Sequence, residues 1–306
     1  MGMEKHMFMS KKCRLLFFIL LLVVFSKVNA QDEESSGSKK SLMFDLTSTQ
    51  TSYSDSWVGG EAGSVNWVAN LSATSTKKIK KNIELRSRLK LSFGQTLTQD
   101  AETKKWSKPD KSTDLIDFEN VGSFSTGGLV DPYVAFRIET QFYDGANPDK
   151  KLSLSPLKLT ESAGASKKFY ETETDLIVSR LGLGVRQIIT KSMTDTITLA
   201  VETSTAYDGG IESVSEVDLA VHKNIRYNGK LTLFKALESS KSDDLKGTEF
   251  ENDWKAVDLN FENSFSGSIT KLITVNLYLQ FLYDKEISHK IRIKQTLALG
   301  FVFKLN

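Results

Sequence analysis

The sequence predicts an all-β chain, a transmembrane antiparallel up-and-down β-barrel of about twelve strands. Three observations predict it. The first is alternation that outlasts any soluble strand. Over 290–305 the odd positions carry Ile291, Ile293, Leu297, Leu299, Phe301, Phe303 and Leu305. The even positions carry Lys290, Arg292, Lys294, Thr296, Ala298, Gly300 and Lys304; Gln295 and Val302 are the exceptions. Successive side chains of a strand point to opposite faces. A soluble strand usually runs for about 5–6 residues, whereas a tilted strand needs more to cross about 30 Å of hydrocarbon. The second observation is that no run of about 18 apolar residues follows residue 30. A membrane-spanning chain without one must satisfy its backbone by closing a barrel. The third is that long and short connections alternate, as they do when long loops lie outside the cell and short turns in the periplasm.

The N-terminus fits the same compartment. Lys5, Lys11, Lys12 and Arg14 precede an apolar run over 15–25, and Val28-Asn29-Ala30 follows. A basic segment, a short apolar core and a small-residue site make a secretory signal peptide, 1–30, with cleavage expected after Ala30. Residues 31–40 read as a short flexible leader and 41–306 as the barrel. The one cysteine, Cys13, falls inside the signal, so the mature chain is expected to have no thiol chemistry. The formal charge of +2 belongs to the signal; without it the chain holds 35 basic and 37 acidic residues. No basic block suits nucleic acid.

In chain order, the first strand spans 41–50, with Phe44 and Leu46 outward. The second, 61–75, aligns Val65, Trp67, Ala69, Leu71 and Ala73. After a basic turn at 77–81 the third puts Ile83, Leu85, Leu89, Leu91, Phe93 and Leu97 out, with Glu84, Arg86, Arg88 and Lys90 in. A loop over 98–113 precedes a weak fourth strand, 114–123, and Gly127-Gly128 turns into the fifth, 131–143. The longest loop is expected over 144–170. The sixth strand, 174–190, carries Ile177, Leu181, Leu183, Val185 and Ile189 outward; the seventh, 195–206, carries Ile197, Leu199 and Val201. Asp208-Gly209-Gly210 reads as a loop before the eighth, 215–226. Tyr227-Asn228-Gly229 reads as a hairpin turn, because Asn-Gly accepts positive φ. The ninth covers 230–237, a polar loop 238–252, the tenth 254–265, the eleventh 273–283, and the last 290–305.

By the third strand the chain resembles a Bacteroidota outer-membrane β-barrel family catalogued as a domain of unknown function. The matching stretches are Ser56-Trp57-Val58-Gly59-Gly60-Glu61, Lys111-Ser112-Thr113-Asp114, and the strand from Tyr133 to Phe142. The resemblance implies a barrel in the outer membrane and brings no activity.

Catalysis is not expected. Outside the signal only His222 and His289 occur, and no serine is marked by spacing as a nucleophile beside either. Neither a cofactor nor a metal is expected. Gly182-x-Gly184 lies within a strand, so it is read as relief of crowding and not as a phosphate loop. The candidate functional residues are lumen charges. Arg86, Arg88, Lys90, Arg137, Arg180, Arg186, Arg292 and Lys294 form basic walls; Glu202, Glu216, Asp218, His222 and Asp258 face them. Such walls suit a small channel or transporter for polar or amphiphilic solutes. Paired, the same charges would instead fill a closed barrel with a structural or loop-mediated binding role. An outer-membrane lipid hydrolase is the third expectation. The expected partners are outer-membrane lipids and the barrel-assembly machinery, which would engage the C-terminal strand.

Overall fold

The computed structural model of the protein describes residues 39–53, 62–145, 150–195, 197–270 and 272–305, without the side chains of 302–305. The signal peptide, most of the leader and the segment Ser56–Glu61 lie outside the described residues.

Alternation closes the chain on itself. Twelve antiparallel strands make one closed barrel. They are β1 (Lys39–Thr51), β2 (Ser64–Lys80), β3 (Ile83–Thr98), β4 (Asp110–Phe124), β5 (Asp131–Thr140), β8 (Leu157–Glu171), β9 (Leu176–Asp195), β10 (Ala200–His222), β11 (Ile225–Ser239), β12 (Val257–Ser268), β13 (Ile273–Asp284) and β14 (Ser288–Leu305). Two short strands, β6 (Tyr143–Asp144) and β7 (Leu152–Ser153), pair with each other within the β5–β8 connection. Sequence neighbours are barrel neighbours throughout, and β14 meets β1. Strands of 10 to 23 residues suit a bilayer crossing at a tilt.

The inside–outside pattern follows the period of two. Leu183 and Leu297 are 69% and 71% exposed, and the outward rows of β13 and β14 are apolar from Ile273 to Tyr283 and from Ile291 to Phe301, Gln295 excepted. Charged residues occupy the inward rows, many of them buried. A closed ring with a greasy exterior pairs the strands on both sides, which an open sheet could not achieve.

Four expectations are corrected. Residues 157–171 are not loop but β8, a full barrel strand. The expected seventh and eighth strands are one, β10, which runs through Asp208-Gly209-Gly210. Those glycines mark a register shift against β11, where a Cβ on Gly210 would sit 2.2 Å from the Lys235 carbonyl oxygen. Tyr227-Asn228-Gly229 lies within β11, and the turn is Lys223-Asn224. The ends of the barrel keep their character. Residues 99–109, 141–156 and 240–256 make long connections at one end; 81–82, 172–175 and 223–224 make short turns at the other.

The first residues after β5 fold onto the outer wall at their own end. The Phe142 and Tyr143 amides donate to the Asp114 carboxylate at 2.7 and 3.2 Å, and both rings pack on Phe93, with centroids at 5.8 and 6.1 Å. Phe93 belongs to the outward row of β3, beside Trp67 on β2.

Candidate functional site

The register brings the inward charges of six strands to one height. Arg88 on β3 pairs in register with Glu119 on β4, which pairs with Arg137 on β5. Glu216 on β10 pairs with Lys230 on β11, and Lys230 with Glu262 on β12. Alternation points all of them into the lumen, where their side chains meet.

The meeting spans the barrel. Glu216 accepts from Arg86 at 3.0 Å and from Arg88, both on β3, and from Arg180 on β9 at 3.2 Å. Glu119 accepts from Arg180 at 2.7 Å and from Lys230 at 2.9 Å. Lys90 on β3 reaches Glu262 on β12 at 3.1 Å. The strand pairs β3–β10, β3–β12 and β4–β11 are each five places apart in a ring of twelve, where six is the most possible. Arg180, Glu119, Glu216 and Lys230 are all buried. Four cations, Arg86, Arg88, Arg180 and Lys230, surround two carboxylates, so the centre carries excess positive charge. Beside it Arg137 holds Asp117 through two parallel bonds, 2.9 and 3.0 Å, and touches Glu139 at 3.1 Å. Bidentate geometry of this kind is the stronger form of such a bond.

Toward the long-loop end Arg186 bridges Asp208 at 3.0 Å and Asp258 at 2.6 Å, with its guanidinium 4.3 Å from the centre of the Phe234 ring. A small cavity opens there between Arg137, Glu139, Lys158, Arg186 and Glu212. Toward the short-turn end Lys168 binds Glu84 at 3.0 Å, and Arg226 binds Asp218 at 2.6 Å. The inward glycines make room. A Cβ on Gly182 would come within 2.8 Å of the Tyr133 hydroxyl, and one on Gly184 within 3.4 Å of Phe234.

Of the expected residues, Arg86, Arg88, Lys90, Arg137, Arg180, Arg186, Glu216 and Asp258 meet in this lumen. Asp218 lies near its short-turn end. Two do not enter. Glu202 is exposed on the β9–β10 ribbon, which extends past the residues of β8 and β11 that flank it. His222 is exposed at the Lys223-Asn224 turn. Arg292 and Lys294 point inward but are exposed on β14; Lys294 donates to the Thr113 hydroxyl at 2.8 Å. Lys158, Lys168 and Asp208 were missed because their segments read as loops. The alternation of 157–171 was the signal that could have found the two lysines. His289 meets Asp253 at 2.8 Å, and Lys285 meets the same carboxylate at 2.9 Å. The hydrogen bonds from Lys285 and His289 hold the Asp253 carboxyl below its usual range.

A family described as a protein of unknown function (DUF3078) matches residues 48–145, which contain all three stretches that carried the resemblance. No curated protein matches the chain. Among solved structures, an outer-membrane channel from Pseudomonas putida F1 shares 12% identity over 89% of this chain and 96% of that one, with a TM-score of 0.40. The translocator domain of the autotransporter NalP from Neisseria meningitidis shares 8% identity over 96% and 98%, with a TM-score of 0.38.

Proposed function

We propose that the chain is a β-barrel of a Gram-negative outer membrane and a non-enzymatic conduit for small polar or amphiphilic solutes, shut at mid-height by the ion pairs that cross its lumen. One observation carries the reading: Arg86, Arg88 and Lys90 project from a single strand to carboxylates on the far wall. A barrel meant only to be solid gains little from such a filling. Apolar side chains of similar volume are often as stabilising as buried ion pairs, or more so. Ionisable groups inside a membrane domain are expensive and are a default sign of a solute path. The second reading, a closed barrel with a structural or loop-binding role, draws on the completeness of the same pairing.

Single-channel recording separates the two. The wild type is expected to be nearly silent. Replacing Arg86, Arg88 and Lys90 together with Ser removes the three cations that cross from β3 and should give a steady conductance that favours cations, since Asp117, Glu119, Glu139, Glu216 and Glu262 then outnumber Arg137, Arg180 and Lys230. A folded triple variant as silent as the wild type overturns the conduit and leaves the closed barrel.

A further inference from the structure

Charge is unequal on one wall of the lumen. The cavity toward the long-loop end is lined by residues of β5, β8, β9, β10 and β11, which are consecutive in the barrel. Its three cations are already engaged. Arg137 holds Asp117 and Glu139, Arg186 holds Asp208 and Asp258, and Lys158 faces Glu139 at 3.5 Å. The cavity's other carboxylate, Glu212, is left over. It is only 7% exposed, yet its carboxylate holds no hydrogen bond or ion pair among the described residues. Its register partners, Gly182 on β9 and Phe234 on β11, have no side-chain donor to offer.

Two hydroxyls share the deficit. Thr232 on β11 lines the same cavity, and its hydroxyl is buried without a hydrogen-bond partner. Thr160 on β8 is buried and lines it as well. A Cβ on Gly184 would stand 3.6 Å from that of Glu212, so the missing side chain leaves the glutamate's flank open. The cavity measures about 230 Å³, counting the part open to the lumen. That is below the about 300–1,000 Å³ of sites for drug-sized ligands. A buried carboxylate without a cation is costly. Inside a membrane domain it is by default the mark of a ligand path.

We infer that this cavity binds the ammonium group of a small primary amine, with the Glu212 carboxylate as its charged partner and the Thr160 and Thr232 hydroxyls as further acceptors. An ammonium carries three N–H donors and no acceptor, which matches a wall short of donors. An anion finds no free cation here. A calcium ion takes about 6–8 oxygens, more than one carboxylate and two hydroxyls supply. A neutral alcohol forfeits the charge-assisted bond, which is about twice as strong as a neutral one. The amine's role as solute rests on the conduit reading, and the inference names the class of that solute. The excess positive charge at mid-height repels an ammonium and so keeps it at this wall while the barrel is shut.

The test titrates propylammonium chloride into the folded full chain in detergent micelles by calorimetry, with 1-propanol, potassium chloride and sodium propionate as controls. Propylammonium should bind saturably at one site per barrel, and the three controls should not. Glu212→Gln keeps the shape and removes the charge, and it should weaken binding at least about tenfold. Thr232→Val should weaken it by about threefold, the loss of one neutral acceptor. Altered gel mobility on heating shows which variants are folded, and if Glu212→Gln is not, Thr232→Val decides in its place. No saturation in the wild type, equal binding of potassium or propionate, or undiminished binding by the folded variant overturns the inference. If the Arg86, Arg88 and Lys90 variant conducts while propylammonium does not bind, the conduit stands and the ammonium site falls. If that variant is silent while the wild type binds the amine through Glu212, the conduit falls and the site stands as that of a closed barrel.

Discussion

Single side chains show how strictly the outer wall accounts for polarity. Three polar pairs lie on outward rows, and each is satisfied across strands. The Ser179 and Ser215 hydroxyls meet at 2.8 Å, Tyr227 donates to Asn263 at 2.8 Å, and Ser87 donates to Asn120. An unsatisfied polar group in hydrocarbon costs several kcal/mol, so these pairs are the condition for polar residues there. Glu161 departs from the rule. It points outward between Phe136 and Val185, is exposed, and holds no partner among the described residues. Replacing Glu161 with Leu should therefore stabilise the barrel in lipid vesicles, by about 1 kcal/mol for a carboxylate removed from that belt. Urea unfolding of the two proteins checks it, and a lower midpoint for the variant would mean that the carboxylate is bound in the membrane. The same residue explains a failure of reading. A glutamate on the apolar row, followed by Ala163, Ala165 and Lys167, made 157–171 look like a loop although its period of two is intact.

Strands and loops were legible wherever both faces were distinct. β3, β9, β13 and β14 carry long apolar rows opposite charges; the ends of β3, β13 and β14 match the expected ones closely, while β9 runs on to Asp195, five residues past the expected 190. β10 was misread because Asp208-Gly209-Gly210 has the composition of a turn. Only the buried Arg186–Asp208 pair and the close approach to β11 show it to be a bulge, and both are contacts between strands that local composition does not encode. Strand parity makes a sharp prediction for β13. Leu279 lies on its outward row between Asn263 and Gln295. Leu279→Arg should destabilise by about 2–4 kcal/mol if it sits near the bilayer midplane, while Arg292→Ala on the inward row of β14 should lose less. Refolding yields into vesicles compare the two, and the reverse order would invert the faces. At the long-loop end, the connection 240–256 is tied down through Asp253. Its carboxyl is held below the ordinary 3.8 by Lys285 and His289, so the tie is complete above that value and weakens as pH falls through the lower folded one. Amide exchange over 245–256 should quicken only below about pH 4, as the linkage requires. Quickening that sets in well above about pH 4 would overturn it.

The whole barrel came out at twelve strands from sequence because two misreadings compensated: β8 went unread and β10 counted twice. The alternation of connection lengths held only in part: the long connections 99–109 and 240–256 lie at one end, but β9–β10 and β13–β14 are joined at that same end by links as short as the turns opposite. Sidedness can be tested at positions that the structure places in connections. A cysteine at Glu249 should label in intact cells and one at Asn224 should not, because the first is in a long connection and the second in a short turn. The opposite pattern would turn the barrel over. The lumen was legible only as two lists of charges. Which cation reaches which carboxylate depends on tilt and diameter, and these follow from closure and not from any local stretch.

The length of chain between the crossing partners bears on how the barrel forms. Arg86 and Glu216 are 130 residues apart, Lys90 and Glu262 are 172 apart, and Lys230 and Glu119 are 111 apart. Hairpins such as β2–β3 can zip locally, but none of these bonds can exist until the far walls face one another. The charges must enter the closing cylinder still hydrated and exchange water for each other last. Bonds made after the rate-limiting step slow escape from the native state without hastening arrival. Truncating Arg88 should accordingly speed unfolding and leave the rate of barrel assembly almost unchanged, so that the plug acts as a lock set after the door has closed.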